Sequence, residues 1–421
     1  MTERPPARAT PPMHYGWIMV LATIASVFVA LGIGRFALGM LLPAMGAALP
    51  LSYLQMGLIS TGNFLGYLVG ALLAGRFIRR FGERRLIGGS LLLIVVTMAG
   101  IAMADGVVVV LLLYLGTGLG SGLAFVATAS LLPHWFHSRW RGRTSGSIST
   151  GAGLAMMLAG WAVPVVNAQF GGDSWRLSWA MLAGVALLLA LACLALVRNR
   201  PADLGLAPYG ATDPATAPAP ATTAAPRATA LPAEAARALI VRLGAIYFLF
   251  GASYVVYATF IVTSLVQQHG FAEARAGQFW IWQGFFTLFC GPLLGGLSDR
   301  FGRRAGIVLA LTLQGSAYLL AAWGGHPTAL YLSVCLWGLS AFGVPVIIPA
   351  AAADYLGSER AIAAIGALTV AMGLGQMLGP LAAGLLAEWW GGFSPAYLAA
   401  AAAVAVAILM TLRLKPPETA A

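Results

Sequence analysis

Long apolar runs separated by short polar loops set the pattern of this chain. Twelve runs approach or exceed the length that a helix needs to cross a bilayer: 15–42, 53–74, 86–104, 107–132, 144–168, 175–197, 239–266, 276–297, 305–323, 330–353, 361–387 and 394–414. They are continuous and lack the residue-by-residue alternation of barrel strands. In hydrocarbon such a segment must close its backbone hydrogen bonds within itself, which only a helix does. The pattern therefore predicts an all-α membrane protein with twelve transmembrane helices. Between the sixth and seventh runs lies ADLGLAPYGATDPATAPAPATTAAPRATALPAEAARA, rich in Ala, Pro and Thr and unable to bury a core. The predicted organisation is a tail at 1–14, a six-helix unit at 15–197, a flexible linker at 198–238, a second six-helix unit at 239–414 and a tail at 415–421.

Composition agrees, with 60% hydrophobic and 9% charged residues, far from a soluble domain. The net charge of +11 would suit nucleic acid as a partner. Its placement excludes that reading, because the basic residues crowd alternate loops. Arg76, Arg79, Arg80, Arg84 and Arg85 share one; Arg139, Arg141 and Arg143 a second; Arg198 and Arg200 a third; Arg300, Arg303 and Arg304 a fourth; and Arg360 a fifth. The intervening loops hold almost no unpaired charge. By the positive-inside rule the arginine-rich side is cytoplasmic, as are both termini. The N-terminus shows no short apolar region with a cleavage site, so the first run stays as a span. The preference for Arg over Lys, with abundant Ala, points to a GC-rich bacterial genome and a plasma (inner) membrane.

Cys193, Cys290 and Cys335 fall in apolar runs without metal-ligand spacing. They read as small buried residues, and no metal or cofactor is expected. No phosphate-binding loop of the Gly-x-x-x-x-Gly-Lys-Ser/Thr type occurs, so ATP is not the expected energy source.

The two halves echo each other, GRFIRRFGERR (75–85) after the second run matching GGLSDRFGRR (295–304) after the eighth. Gly295, Asp299, Arg300, Gly302, Arg303 and Arg304 fit the Gly-x-x-x-Asp-Arg-x-Gly-Arg-Arg loop of the major facilitator superfamily, which the chain resembles over nearly its whole length. The resemblance implies two pseudo-symmetric six-helix bundles around one central site. It also implies a cytoplasmic gate that holds the halves together in the outward-open state. The gate candidates are Arg79, Arg80, Asp299, Arg300, Arg303 and Arg304, with Asp354 and Arg360 as ion-pairing groups near the end of the tenth run. The first copy departs from the signature, carrying Arg79 in place of the acid and Glu83 in place of a basic residue. GIGRFALGMLLPAM and GNFLGYLVGAL resemble the YbfB/YjiJ-type branch. PHWFHSRWRGRTSGSISTGAGLA and ADYLGSERAIAAIGAL are similar to monocarboxylate and oxalate/formate porters. Those porters carry a basic residue on the first helix, which Arg35 matches, and often a charged residue on the eighth, where this chain has none.

Arg35 is the candidate centre of the chemistry. A guanidinium does not deprotonate at physiological pH, and placing one at membrane depth costs at least ~2.5–3.5 kcal/mol. No acidic residue lies near it in the sequence, which makes an anionic cargo the natural partner. The competing reading is a structural arginine that snorkels to headgroups or caps carbonyls. From helical rise Arg35 lies ~10 Å from the end of the first run. Asn63, Tyr67, Tyr114, Thr117, Tyr254, Tyr257, Gln283 and Gln376 are expected in the same slab as substrate-binding groups, although amides and tyrosines also serve as interhelical packing. Trp280, Trp282, Trp389 and Trp390 read as interface anchors.

The sequence thus predicts a secondary transporter of a small organic anion, specifically a monocarboxylate. It would work by alternating access as a monomer among membrane lipids, with protons as the candidate coupling ion. The alternatives are an efflux carrier for amphipathic compounds and a membrane sensor that binds without turnover. No nucleophile–base pair or metal motif appears at membrane depth, so an enzyme is not expected.

Overall fold

The computed structural model describes residues 14–137, 140, 146, 148–210 and 232–414. Arg139, Arg141 and Arg143, the middle of the predicted linker and nearly all of both predicted tails lie outside the described residues. Among the described residues twelve long helices follow in order: α1 (Tyr15–Ala48), α2 (Tyr53–Phe81), α3 (Glu83–Ala102), α4 (Val107–Trp135), α5 (Ile148–Phe170), α6 (Ser174–Leu196), α7 (Ala233–Gln267), α8 (Glu273–Phe301), α9 (Arg303–Trp323), α10 (Pro327–Leu356), α11 (Ser358–Trp390) and α12 (Ser394–Leu412). Eleven are long and apolar enough to cross a membrane. The remaining one, α8, has 29 residues and carries Gly, Gln and Trp among its apolar residues. No named strand occurs among the described residues.

Most helices outrun their apolar cores, because a helix continues into the headgroup region as long as its backbone is satisfied. The first is the consequential case. It runs through Pro43 to Ala48, so Arg35 lies ~20 Å from that end, about twice the depth expected from the apolar run alone. Within α1, Phe28–Phe36 is π-helical, a wider turn that sequence periodicity does not announce. In α10 the α-helix is interrupted between Ser340 and Gly343, where the Phe342 amide donates to Cys290 Sγ.

The internal repeat has a structural counterpart. Gly82 and Gly302 end α2 and α8 with φ of 75° and 92°, a conformation that glycine adopts without a Cβ clash. Both copies of the loop therefore turn on one glycine into the next helix. The packing also repeats. A Cβ on Gly118 of α4 would lie 1.9 Å from the carbonyl oxygen of Asn63 on α2, and one on Gly338 of α10 would lie 2.7 Å from that of Gln283 on α8.

The halves meet closely on the arginine-poor side. A Cβ on Gly57 of α2 would lie 2.5 Å from the Pro380 carbonyl oxygen on α11, and one on Gly384 2.6 Å from that of Tyr53. Thr61 Oγ1 donates to the Met377 carbonyl at 2.8 Å. Between α5 and α8, a Cβ on Gly160 would lie 2.7 Å from the Gly277 carbonyl oxygen and one on Gly153 2.7 Å from that of Gly284. Further along the same helices toward the arginine-rich side, the contact thins. Gly75 meets only Arg79 of its own helix, Gly366 meets nothing within 4 Å, and Gly291 touches only Ser149 Oγ at 3.5 Å. The halves therefore diverge toward the arginine-rich side.

The beginning of the linker is ordered by contacts that its composition hides. Pro201–Leu204 forms a short 3-10 turn, and the Tyr209 amide donates to the Trp135 carbonyl at 2.8 Å. The Tyr209 ring packs on His14, Trp17, Phe136 and Trp140, fastening this stretch beneath α1 and α4. Arg200 pairs with buried Glu83 at 3.2 Å, which gives that departure from the loop signature a partner. Trp280 also departs from expectation. It is fully buried against Gly39 of α1, whereas Trp282, Trp389 and Trp390 are exposed as interface anchors would be.

Candidate functional site

Arg35 sits at the end of the π-helical stretch and is 7% exposed. Its guanidinium carbon lies 3.9 Å from the Tyr67 ring centroid and 4.6 Å from that of Phe64, so α2 covers the cation with two aromatic faces. Desolvated cation–π contacts contribute about 2 kcal/mol each, enough to offset the burial of the charge in large part. They leave the edge of the guanidinium free. Nε and Nη2 are buried without a hydrogen-bond partner, and no carboxylate among the described residues pairs with Arg35. The hydroxyls of Tyr67 and Tyr254 lie within its electrostatic reach, and Tyr247 adjoins both.

Two of the predicted residues act on the backbone that carries Arg35. Asn63 Nδ2 donates to the carbonyls of Gly34 and Tyr114, both at 3.1 Å. The Tyr114 hydroxyl donates to the Arg35 carbonyl at 2.9 Å. Side chains from α2 and α4 thereby hold the wide turn of α1. Tyr114→Phe is expected to lower stability by about 0.6–1.7 kcal/mol, the range for interhelical hydrogen bonds in membranes. A lower thermal midpoint in detergent, with expression retained, checks this.

The second half supplies the opposite wall. The Phe36 ring stands edge-on to Tyr254 at 6.4 Å and to Phe342 at 6.2 Å, between α7 and the interruption in α10. Tyr254 stacks in parallel on Trp337 at 5.5 Å, and Tyr257 stacks on the same indole at 5.5 Å. Ser60 Oγ and Thr259 Oγ1 meet at 3.0 Å and bridge the halves on the arginine-poor side of Arg35. The remaining cavity beside Arg35, Ser60, Asn63, Phe64, Tyr114 and Thr259 is only ≈ 10 Å³, about the room one water needs. A larger cavity of ≈ 530 Å³ lies on the arginine-poor side around Asn167, Ser174 and Glu273, away from Arg35. There Asn167 donates to Glu273 at 2.8 Å across α5 and α8.

The structure thus gathers Arg35, Asn63, Tyr67, Tyr114 and Tyr254. It does not bring Thr117 or Tyr257 into the group. Thr117 Oγ1 is engaged with Thr97 at 2.8 Å, and the Tyr257 hydroxyl with Ser333 at 2.7 Å inside the second half. Gln283 and Gln376 are buried with unpartnered amide atoms and do not line the small cavity. Gln283 is the repeat counterpart of Asn63, since each stands nineteen residues before the glycine that ends its helix. Asn63 has its donors satisfied, whereas both amide atoms of Gln283 are free.

Sequence reasoning missed Ser60, Phe64, Thr259 and Tyr247. Ser60, Asn63, Phe64 and Tyr67 fall on one stripe of α2 at helical spacing, a signal that was available. Thr259 and Tyr247 carried none, because only the packing of α7 against α1 and α2 turns them inward. Gln314 on α9 is another buried, unpartnered amide that sequence reasoning passed over.

The gate candidates divide similarly. Arg303 bonds Asp354 at 2.6 Å and also bonds Asp299, which joins α8, α9 and α10 within the second half. Arg80 and Arg300 lie over the neighbouring Phe81 and Phe301 rings. Arg79 and Arg304 form no ion pair among the described residues, and Arg360 stands at the start of α11. Both Arg303 ion pairs stay within the second half.

Two repeated six-helix halves around a buried cation describe a membrane transporter of the major facilitator type. The chain matches the family model described as "Uncharacterised MFS-type transporter YbfB" over residues 27–412, and it belongs to that family of the major facilitator superfamily. It is a transporter rather than an enzyme. It is 26% identical over 380 residues to the gentisate transporter of Corynebacterium glutamicum, covering 87% of this chain and 81% of that protein. A shorter match, 34% identical over 131 residues, links it to multidrug resistance protein 1 of Bacillus subtilis and covers 31% of this chain and 33% of that protein. Among solved structures, the nucleoside transporter NupG superposes with a TM-score of 0.70 at 15% identity, over 96% of this chain and 100% of that one. That likeness concerns the fold alone.

Proposed function

We propose that this transporter moves a small organic anion, a monocarboxylate, and that Arg35 grips its carboxylate. The carrying observation is the buried guanidinium edge, whose Nε and Nη2 form no hydrogen bond and face no carboxylate of the described residues, with the Tyr67 and Tyr254 hydroxyls beside it. Two adjacent donors in one plane match the two oxygens of a carboxylate. Tyr67 and Tyr254 supply hydroxyls beside it, and Phe36 and Trp337 form an apolar wall suited to the rest of the cargo. Asn63 and Tyr114 position Arg35 through the α1 carbonyls. The gentisate carrier named above, which aligns along most of its length, handles a carboxylate and supports this reading.

In this proposal the arginine-rich side is cytoplasmic, the membrane is the plasma membrane and the monomer is the working unit. The halves rock about the site, and the divergence on the arginine-rich side corresponds to the inward-facing arrangement. The Asp299–Arg303–Asp354 cluster, together with Arg79, Arg80, Arg300, Arg304 and Arg360, belongs to the side that closes in the opposite state. Protons are the proposed coupling ion, taken up by the cargo carboxyl or by Asp354.

A thermal-shift screen of purified protein against organic acids tests the cargo class, since a ligand that binds only the folded state raises apparent stability. Counterflow in proteoliposomes then distinguishes carriage from sensing. The multidrug relative favours a second reading, efflux of amphipathic compounds. That reading predicts stabilisation by neutral or cationic amphiphiles and none by acids.

A further inference from the structure

At the arginine-rich end of the second half, a surface slot of ≈ 590 Å³ runs along α9 beside the ends of α10 and α12. Its chemistry changes along its length. Arg304 and Tyr355 stand at the loop end, followed by Val308, Leu309 and Thr312 on α9, with Leu412 of α12 opposite. From Arg304 to Thr312 the slot descends ~12 Å into the apolar part of the span. Neighbouring Arg303 is committed to Asp299 and Asp354. Arg304 is half-buried and forms no ion pair among the described residues.

A soluble ligand does not fit this gradient, because its apolar floor lies on the lipid side of a membrane helix. A phospholipid does fit: its charged group resides at the interface and its chain points toward the midplane. The rim charge decides between lipid classes. An unpaired guanidinium beside a phosphate forms a charge-assisted pair, and a zwitterionic headgroup would bring its own cation to the same rim. We propose that this slot is a binding site for one anionic phospholipid, with its phosphate on Arg304 and one acyl chain along Val308, Leu309 and Thr312. The proposal is independent of the Arg35 cargo site and concerns a different surface of the molecule.

Native mass spectrometry of the full-length protein in detergent provides the test, with phosphatidylglycerol, phosphatidylcholine and soluble glycerol 3-phosphate as probes. The expected result is one retained phosphatidylglycerol adduct in wild type. Its occupancy should drop about fivefold or more in Arg304→Ala, as expected for loss of one basic contact to an anionic lipid. Thr312→Trp, which fills the slot and keeps the arginine, should lose the adduct as well, so a folding failure in one variant leaves the other as the test. Equal retention in both variants would overturn the proposal. So would phosphatidylcholine retained as strongly as phosphatidylglycerol, or glycerol 3-phosphate held without a chain, which would mark a free-phosphate site.

Discussion

Arg35→Ala is expected to abolish the stabilisation that organic acids give the wild-type protein, and to reduce acid uptake in proteoliposomes by about 10- to 100-fold. The magnitude follows from the loss of hydrogen bonds to a charged group, about 1.5–3 kcal/mol, at 1.4 kcal/mol per tenfold. The stability of the unliganded protein should change little. Removing the cation relieves ~2.5–3.5 kcal/mol of burial and forfeits about 2 kcal/mol of cation–π attraction from each of Phe64 and Tyr67. These opposing effects largely cancel, so the variant separates cargo binding from folding. Arg35→Lys should also fail to restore transport, because an ammonium cannot offer two parallel donors. An acid response that survives intact in Arg35→Ala would refute the grip. Retained efflux of toxic amphiphiles by the same variant would favour the multidrug reading.

Gly57→Val is expected to stop transport while leaving the protein folded. The carbonyl of Pro380 lies 2.5 Å from where a Cβ would stand, well inside contact distance. Backbone there cannot swing aside as a flexible side chain could, so α2 and α11 cannot reach this approach with valine present. Only the closed arrangement of the arginine-poor side needs that approach. A carrier that cannot close one side cannot complete its cycle, and uptake should fall to background. A cysteine placed at Ala47, beside the cavity on that side, should label faster with a membrane-impermeant thiol reagent in the valine variant. Unchanged uptake would show that the Gly57–Pro380 contact is not needed in the cycle. By contrast, Gly118→Val should fail to accumulate at all. Its Cβ would meet the Asn63 carbonyl at 1.9 Å within one half, a contact that the rocking motion gives no reason to release.

Much of the scaffold was legible because hydrocarbon imposes a strong and simple rule. A run of apolar residues near spanning length must be a helix, and the loop glycines at 82 and 302 mark equivalent turns in both halves. Helix ends were less legible, since interfacial residues neither require nor forbid another turn. That is why α1 reaches Ala48 and Arg35 lies deeper than its apolar run implied. Arg35 itself stood out as a cation without a sequence-local acid. The other site residues were ambiguous for a definite reason: amides, hydroxyls and aromatic rings serve packing and binding equally well, and depth along a helix says nothing about facing. Thr117 shares the level of Arg35, yet its hydroxyl is spent on Thr97.

The sequence by itself determined the class of protein, the number of helices, the repeat and the arginine set deep within an apolar run. Each of these depends on composition and spacing along a single segment, which the chain carries wherever it folds. Tertiary structure alone decided that Asn63 and Tyr114 hold the α1 backbone, that Phe64 and Tyr67 cover the guanidinium, and that its edge is left free. It also decided that Tyr209 anchors the start of the linker and that the halves pack more closely on the arginine-poor side. Those outcomes depend on which faces of separate helices meet, and side chains far apart in the chain acquire partners only when the packing supplies them.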